Sequence, residues 1–389
     1  MVPATRARPS ETADMTGLLL GAAAMFAAMY STQAILPEIG RDFGVSPSQS
    51  GLTISLVVIA VAAAGWFWGP ISDRFGRKRS MTLASGLLVL PTLGAALAPS
   101  FHLLLACRVL QGLCMPGLLT VGVPYVAEVF APALGGRAMG YYVGALVAGG
   151  IVGRVGVGVV TAAAGWRWAL GLLVILPLAG ALVMRLTLRE APAAPRSERR
   201  RSAAIAQLRN ARVLRPALAA AALFFTIVSV FSYAGYRLAD PPFGYGTGTV
   251  SLVFGLWVMG AAGPLAGRLA DRFGWLGVAR AGLVIVVAGV LLSLPAHILT
   301  FVPALAMVVF GMFTGVTGAQ LGVSAAGDAD RGVASAVYFT LYYVAGAVAG
   351  FVPGLAWEAW EWPGVVALTL IALALGLGAL VRWPRSTGR

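Results

Sequence analysis

The chain has 389 residues, 59% of them hydrophobic and 11% charged, with a mean hydropathy of +0.86. Water-soluble domains average roughly 45–50% apolar and about 25% charged residues, so a soluble globular fold is excluded. The net charge of +14 would suit a nucleic-acid binder, but the cations lie in short loops between apolar runs, where they orient a chain in a bilayer, and no nucleic-acid module is visible.

A membrane-spanning helix needs about 20 mostly apolar residues. The N-terminal MVPATRARPSETAD lacks the apolar core of a cleaved signal peptide, so the first apolar run is expected to remain in the protein. In chain order the expected spans are Thr16–Leu36, Gly51–Trp68, Ser80–Ala98, Phe101–Phe130, Ala138–Thr161 and Trp166–Leu186. After a long polar stretch follow Leu214–Tyr236, Thr249–Ala266, Val278–His297, Phe301–Ala326, Val333–Trp357 and Pro363–Val381. The reading is an all-α integral membrane protein of twelve transmembrane helices in two six-helix bundles. Residues 1–186 and 214–389 form the bundles and 187–213 the basic linker. Cys107 and Cys114 lie seven residues apart on one expected helix, about 10 Å at 1.5 Å rise per residue, too far for a disulfide. Both read as packing residues.

With both termini on one side, the termini and even-numbered loops carry 23 of the 28 cations. The opposite loops carry Arg41, Arg167 and Arg237, and Arg108 and Arg154 fall inside helices. This bias places both termini in the cytoplasm of a bacterial-type inner membrane. In the linker, Ile205, Leu208 and Val213 among arginines fit either a short amphipathic helix on the anionic leaflet or a solvated tether.

The chain also repeats itself. GPISDRFGRKR at Gly69–Arg79 returns as GRLADRFG at Gly267–Gly274, with Asp73 and Asp271 separated by 198 residues. Arg137 in GGRAMGYY and Arg331 in DRGVASAVY are 194 apart, and Trp166 and Trp362 are 196 apart. Three landmarks at nearly one offset indicate tandem halves. Both charged loops face one side only if each half crosses the membrane an even number of times, in agreement with six plus six.

These features together resemble the major facilitator superfamily. Its loop after the second helix follows G-x-x-x-D-R-x-G-R-[KR], matched by Gly69, Asp73, Arg74, Gly76, Arg77 and Lys78. The second copy keeps Gly267, Asp271, Arg272 and Gly274 and loses the trailing basic residues. R-x-x-Q-G of helix 4 is matched by Arg108, Gln111 and Gly112. The fifth helix is similar to the glycine-rich one of the drug:proton antiporter branch, without its proline and with Arg154 added, which also resembles sugar-efflux-like carriers. The resemblance implies alternating access around a shared site, and a latch at the motif loops. Asp73 with Arg74, Arg77 or Arg137 would form it in the first half, and Asp271 with Arg272 or Arg331 in the second. Gly69 and Gly76 permit close approach and a tight turn.

Arg108 and Arg154 carry the most mechanistic information, because a charge inside a membrane helix faces a cavity or a partner. Either they hold an anionic group of the substrate, or helix carbonyls, Gln111, Gln33 and tyrosine hydroxyls satisfy them. By resemblance, the cavity is lined by helices 1, 4, 7 and 10. Candidates are Met29, Tyr30 and Gln33; Gln111 and Met115; Tyr233; Phe313 and Gln320; and Tyr338 and Tyr342 on helix 11. Such methionine, aromatic and amide groups suit an amphiphilic organic solute. No Asp or Glu lies in the interior of an expected span. Glu38 and Asp240, at outer ends, are the available proton carriers, although Asp-Pro-Pro at Asp240–Pro242 also reads as a turn.

Metalloprotease, nucleophile-elbow and phosphate-loop motifs are absent, so an intramembrane enzyme is the unfavoured alternative and no catalytic residue is assigned. Two histidines and two poorly spaced cysteines argue against a metal. The expectation is a monomeric secondary transporter in a lipid bilayer. It takes a small-molecule substrate and uses no cofactor beyond a proton or solute gradient. Proton-coupled efflux is the first reading, and uptake or exchange of a small organic anion the alternative.

Overall fold

The computed structural model describes residues 9–130, 132–191, 210–326 and 331–381, and these are helical with no strand among them. Nine helices among the described residues are long and apolar enough to cross a membrane. The first half runs α1 (Pro9–Met29), a 3-10 turn (Gln33–Ile35), α2 (Leu36–Phe43), α3 (Pro47–Phe75), α4 (Arg77–Ala96), α5 (Phe101–Cys114) and α6 (Pro116–Val129). It continues through α7 (Pro132–Ile151), a π turn (Val152–Gly156), α8 (Val157–Ala164), α9 (Trp166–Leu173) and α10 (Ile175–Thr187). The second half contains α11 (Ala211–Ala239), α12 (Thr247–Ser251), a 3-10 stretch (Leu252–Ala262), α13 (Gly263–Leu292), α14 (Ile298–Ala326) and α15 (Arg331–Val381).

Three interruptions matter for function. The first apolar span, Thr12–Phe43, is irregular in its middle: α1 ends at Met29, and a turn and a 3-10 turn lead into α2. Pro37 sits in the first turn of α2. It has no N–H to give Gln33, and its ring crowds that carbonyl, so an α-helix cannot run straight through. The second is the π turn around Arg154. The third is at Trp360–Glu361, where Glu361 takes φ 49 and divides α15. Both copies of the repeated loop end on a positive-φ glycine, Gly76 at φ 92 and Gly274 at φ 74, a backbone that glycine adopts without the Cβ clash.

The chain divides into two compact bodies, Met1–Thr32 with Ala63–Arg196, and Gln33–Ala62 with Ser197–Arg389. In the first, α1 and α7 meet backbone to backbone. A Cβ on Gly149 would run into Ala23, and one on Gly153 into Ala27. In the second, α11 is the core element, with Leu223, Ile227, Phe231 and Tyr233 fully buried. Val213, read from sequence as a linker residue, is fully buried in the first turn of α11. Ile205 and Leu208 fall outside the described residues.

Candidate functional site

The break in the first helix leaves the carbonyls of Ala28 and Met29 without a continuing helix to bond them. The Ser31 hydroxyl donates to Ala28 O at 3.0 Å, and Arg108 supplies further donors. Its Nη1 donates to Ala28 O at 2.9 Å and to Gln111 Oε1 at 2.6 Å, and its Nη2 donates to Met29 O. Gln111 passes the interaction on, donating to Thr92 Oγ1 at 3.0 Å. Arg108 thus caps the end of α1 with its side chain, on two helix carbonyls and Gln111. Met115, fully buried at the junction of α5 and α6, packs and exposes no surface.

Arg154 approaches the same break differently. The π turn inserts an extra residue into the helical ladder, a device frequent at functional sites. The guanidinium lies over the Tyr30 ring at 4.2 Å and donates to Gly150 O at 2.9 Å. Tyr30 in turn meets Phe26 edge-on at 5.9 Å. One irregular turn thus gathers Met29, Tyr30, Arg108, Gln111 and Arg154. All five were expected to line a cavity, and all five are buried.

The motif loop is a brace. Arg77 Nη1 pairs with Asp73 at 2.6 Å and Nη2 with Glu128 at 3.0 Å, while Arg77 Nε donates to Glu128 Oε2 at 3.2 Å. Arg77 also donates to the Ser72 hydroxyl. Burial disfavours the charged guanidinium, but the bonds from Glu128 and Asp73 overcome it and raise its pKa above the usual arginine range. Gly69 accepts the Ser72 hydroxyl at 3.1 Å. Arg74 is exposed and lies over the Phe75 ring at 5.5 Å. Arg137 is exposed and makes no ion pair with Asp73 among the described residues. The second copy differs from expectation. Asp271 is exposed and has no ion pair among the described residues, and Arg272 is spent on the Phe273 ring at 5.2 Å. The Arg331 side chain lies outside the described residues.

Two features of this region were missed in the sequence. Glu128, Arg77's second acceptor, was hidden in the last turn of an apolar helix. Asp14 lies in α1, which starts two turns earlier than expected. It is fully buried; its Oδ2 pairs with Arg189 Nε at 2.5 Å and its Oδ1 accepts the Arg189 N–H at 2.7 Å. Tyr125 Oη donates to Asp14 and to Arg189 O, both at 3.1 Å. Glu190 lies against Gly76, where a Cβ would meet its carboxylate.

The second body holds a separate polar set. Gln33 Nε2 donates to Ser232 Oγ at 3.1 Å. Tyr233 Oη donates to Gly350 O at 2.6 Å, and Tyr236 Oη bonds Ser50 Oγ at 2.6 Å and donates to Leu36 O at 3.1 Å. Tyr233, Tyr236 and Trp357 form an aromatic cluster with centroids 5.9–6.4 Å apart. Glu38 pairs with Arg41 at 3.0 Å and accepts the Thr247 hydroxyl. Asp240 follows α11. Burial and the neighbouring Glu361 raise its carboxyl pKa, and Arg41 only partly counters them. Arg237, three residues before it, donates to Leu294 O at 3.2 Å.

The remaining cavity candidates do not join these groups. Phe313 packs edge-on against Trp257 at 5.9 Å. Tyr338 belongs to a buried core with Val213, Ala217 and Val337 and stacks on Tyr342 at 5.8 Å, which stacks on Phe224 at 3.9 Å. Gln320 is exposed. The described residues contain no group of three His, Cys, Asp or Glu able to hold a metal ion.

Comparison with known proteins follows the same lines. The family model described as Major Facilitator Superfamily matches residues 18–351. The MFS-type transporter YybF of Bacillus subtilis is 27% identical over 357 residues, covering 90% of this chain and 88% of that protein. The inner membrane transport protein YnfM of Escherichia coli is 29% identical over 364 residues, covering 91% and 86%. Among solved structures, a bacterial homolog to the human lysosomal transporter Spinster, inward-facing and unoccupied, superposes with a TM-score of 0.81 at 17% identity, covering 97% of this chain and 98% of that one.

Proposed function

The chain belongs to the Major Facilitator Superfamily, and on that premise we propose that it moves a small amphiphilic organic solute across the inner membrane by alternating access. It is a multi-pass membrane transporter and not an enzyme. The moving parts we propose are bundles 1–186 and 214–389, joined by the linker 187–213, with both termini cytoplasmic as the Lys/Arg bias requires. The observation that carries the reading is the break in the first helix. In carriers, irregular membrane backbone is tolerated where it lines a substrate or ion path, and here it is surrounded by Met29, Tyr30 and Gln111.

Transport runs as proton-coupled efflux in this reading. Asp240, whose carboxyl gives up its proton less readily than usual, and Glu38 beside Arg41 are the proton carriers. Counterflow of a panel of labelled amphiphiles in proteoliposomes, with and without a pH gradient, tests it. Transport indifferent to the gradient overturns the coupling.

One observation favours a second reading, exchange or uptake of a small organic anion. Arg154 is aimed at the break by a π turn and rests on an aromatic face, where an anionic group could take the guanidinium from Tyr30. Arg154→Gln is then expected to weaken binding of a labelled organic acid about tenfold or more, the scale of a lost bond to a charged group. Unchanged affinity rules out the anion reading.

A further inference from the structure

The second body contains a helix crossing that the carrier cycle has to open. The first turns of α3 lie against α15 with almost nothing between the backbones. A Cβ on Gly350 would meet Gly51 O and Ser55 N, each at 2.8 Å, and one on Gly354 would meet Ser48 Cβ at 2.8 Å. Crossings this tight are held mainly by packing and hydrogen bonds, because lipid supplies no hydrophobic drive between helices. The polar contacts here are Tyr233 Oη to Gly350 O, Ser50 to Tyr236 and one carboxylate, Glu358.

Glu358 comes from α15, yet it adds a second cap to the first turn of α3. Its Oε1 accepts the Ser48 N–H at 2.8 Å, and the Ser46 and Ser48 hydroxyls also bond to it. The first N–H groups of a helix have no partner within the helix, and their positive end favours an anion. α3 starts with Pro47, and Ser46 and Gln49 form a capping box of their own, the Ser46 hydroxyl accepting the Gln49 N–H at 3.3 Å and Gln49 Oε1 the Ser46 N–H at 2.9 Å, which leaves the Ser48 N–H unserved by either. The Glu358 carboxylate takes that remaining N–H from the other half of the sequence.

We propose that Glu358 is the fastener of the outer gate: as a cap supplied in trans, it holds α3 against α15 across the glycine crossing and biases the carrier toward its outward-closed state. The proposal rests on alternating access as read above. The groups facing Glu358 are Ser46 and Ser48 of the α3 entry and Tyr233 and Tyr236 of α11. Glu38 and Asp240 lie near Tyr236, and Glu361 follows on the same chain segment. Arg41 is paired to Glu38 and Arg237 to Leu294 O, and neither forms an ion pair with Glu358 among the described residues. The cap is thus a carboxylate on helix N–H and hydroxyl donors.

The test uses the full chain in intact cells with Cys107 and Cys114 replaced by serine. Ser55→Cys is the reporter. Ser55 is 7% exposed, and its buried hydroxyl has no hydrogen-bond partner among the described residues, so the sulfur replaces no bond. A membrane-impermeant maleimide is added outside, and rates are normalised to Leu299→Cys at a position 76% exposed. Glu358→Gln is expected to speed labelling about fivefold, as loss of an anion at a helix N-terminus predicts. Ser48→Pro removes the donor N–H and keeps the carboxylate, within the first helical turn, where no intrahelical bond is lost. It is expected to act in the same direction and decides the matter if Glu358→Gln does not reach the membrane. Gly350→Val, which blocks the crossing sterically, serves as the open reference. Labelling raised in Gly350→Val but at parent rate in Glu358→Gln and Ser48→Pro overturns the fastener and leaves alternating access standing. A reporter that stays unlabelled in all of them overturns both.

Discussion

Removing Arg108 separates a structural arginine from a substrate ligand. In Arg108→Leu, Ala28 O, Met29 O and Gln111 Oε1 lose their shared donor. Interhelical hydrogen bonds in membrane proteins average about 0.6 kcal/mol with a maximum of about 1.7, and bonds to charged groups are worth about 1.5–3. Three such bonds give roughly 2–5 kcal/mol. Relief from burying the charge returns part of this, leaving a net loss of about 2–3 kcal/mol. At about 2–4 °C per kcal/mol for a chain of this scale, the midpoint should fall by roughly 5–10 °C. The assay is the monodisperse fraction recovered by size-exclusion chromatography after stepped heating in detergent. Arg108→Lys should melt with the leucine variant, because an ammonium cannot reproduce a planar fork across three acceptors. A variant that melts within about 2 °C of the parent yet loses transport would refute the cap and make Arg108 a ligand.

Two further outcomes follow from the charged groups. Glu128→Gln and Arg77→Gln should each lower stability, and the double variant should be less damaged than their sum by about 1 kcal/mol, measured as a double-mutant cycle on the heating midpoint; strict additivity would break the brace. Asp240 binds its proton more tightly in the folded protein than in the unfolded chain, through burial and Glu361. Its contribution to stability is therefore full below about pH 4 and is lost as pH rises through the raised folded value. The difference in melting midpoint between wild type and Asp240→Asn should change across that window and be constant above it, and a difference that ignores pH would contradict it.

Much of the fold was legible because a bilayer allows few solutions. Long apolar runs and arginine-rich loops announce membrane helices, and Gly76 and Gly274 announce tight turns by their place in a repeated loop. What stayed hidden depended on partners distant in sequence. Arg108 could be seen to need acceptors, but the acceptors are backbone carbonyls at the end of α1, and no glycine or proline at Met29–Thr32 marks that end. The π turn at Arg154 has no periodicity signal, since its glycines suit an ordinary close-packed helix equally well. Asp14 was overlooked because polar PSETAD reads as a tail; burial against Tyr125 and Arg189 makes it helix. The second DRFG copy resembled the first, yet without the basic residues that follow Gly76 it has no brace to form.

The clasp of Asp14 on Arg189, with Glu190 seated on Gly76, has a practical side for anyone recombining such carriers. Four residues past α10, through Ala191, are architecturally part of the amino-terminal module, although composition assigns them to the tether. Chimeras or fluorescent-tag insertions spliced at Thr187 would unseat a fully buried aspartate, whereas a junction placed beyond Ala191 leaves that module whole.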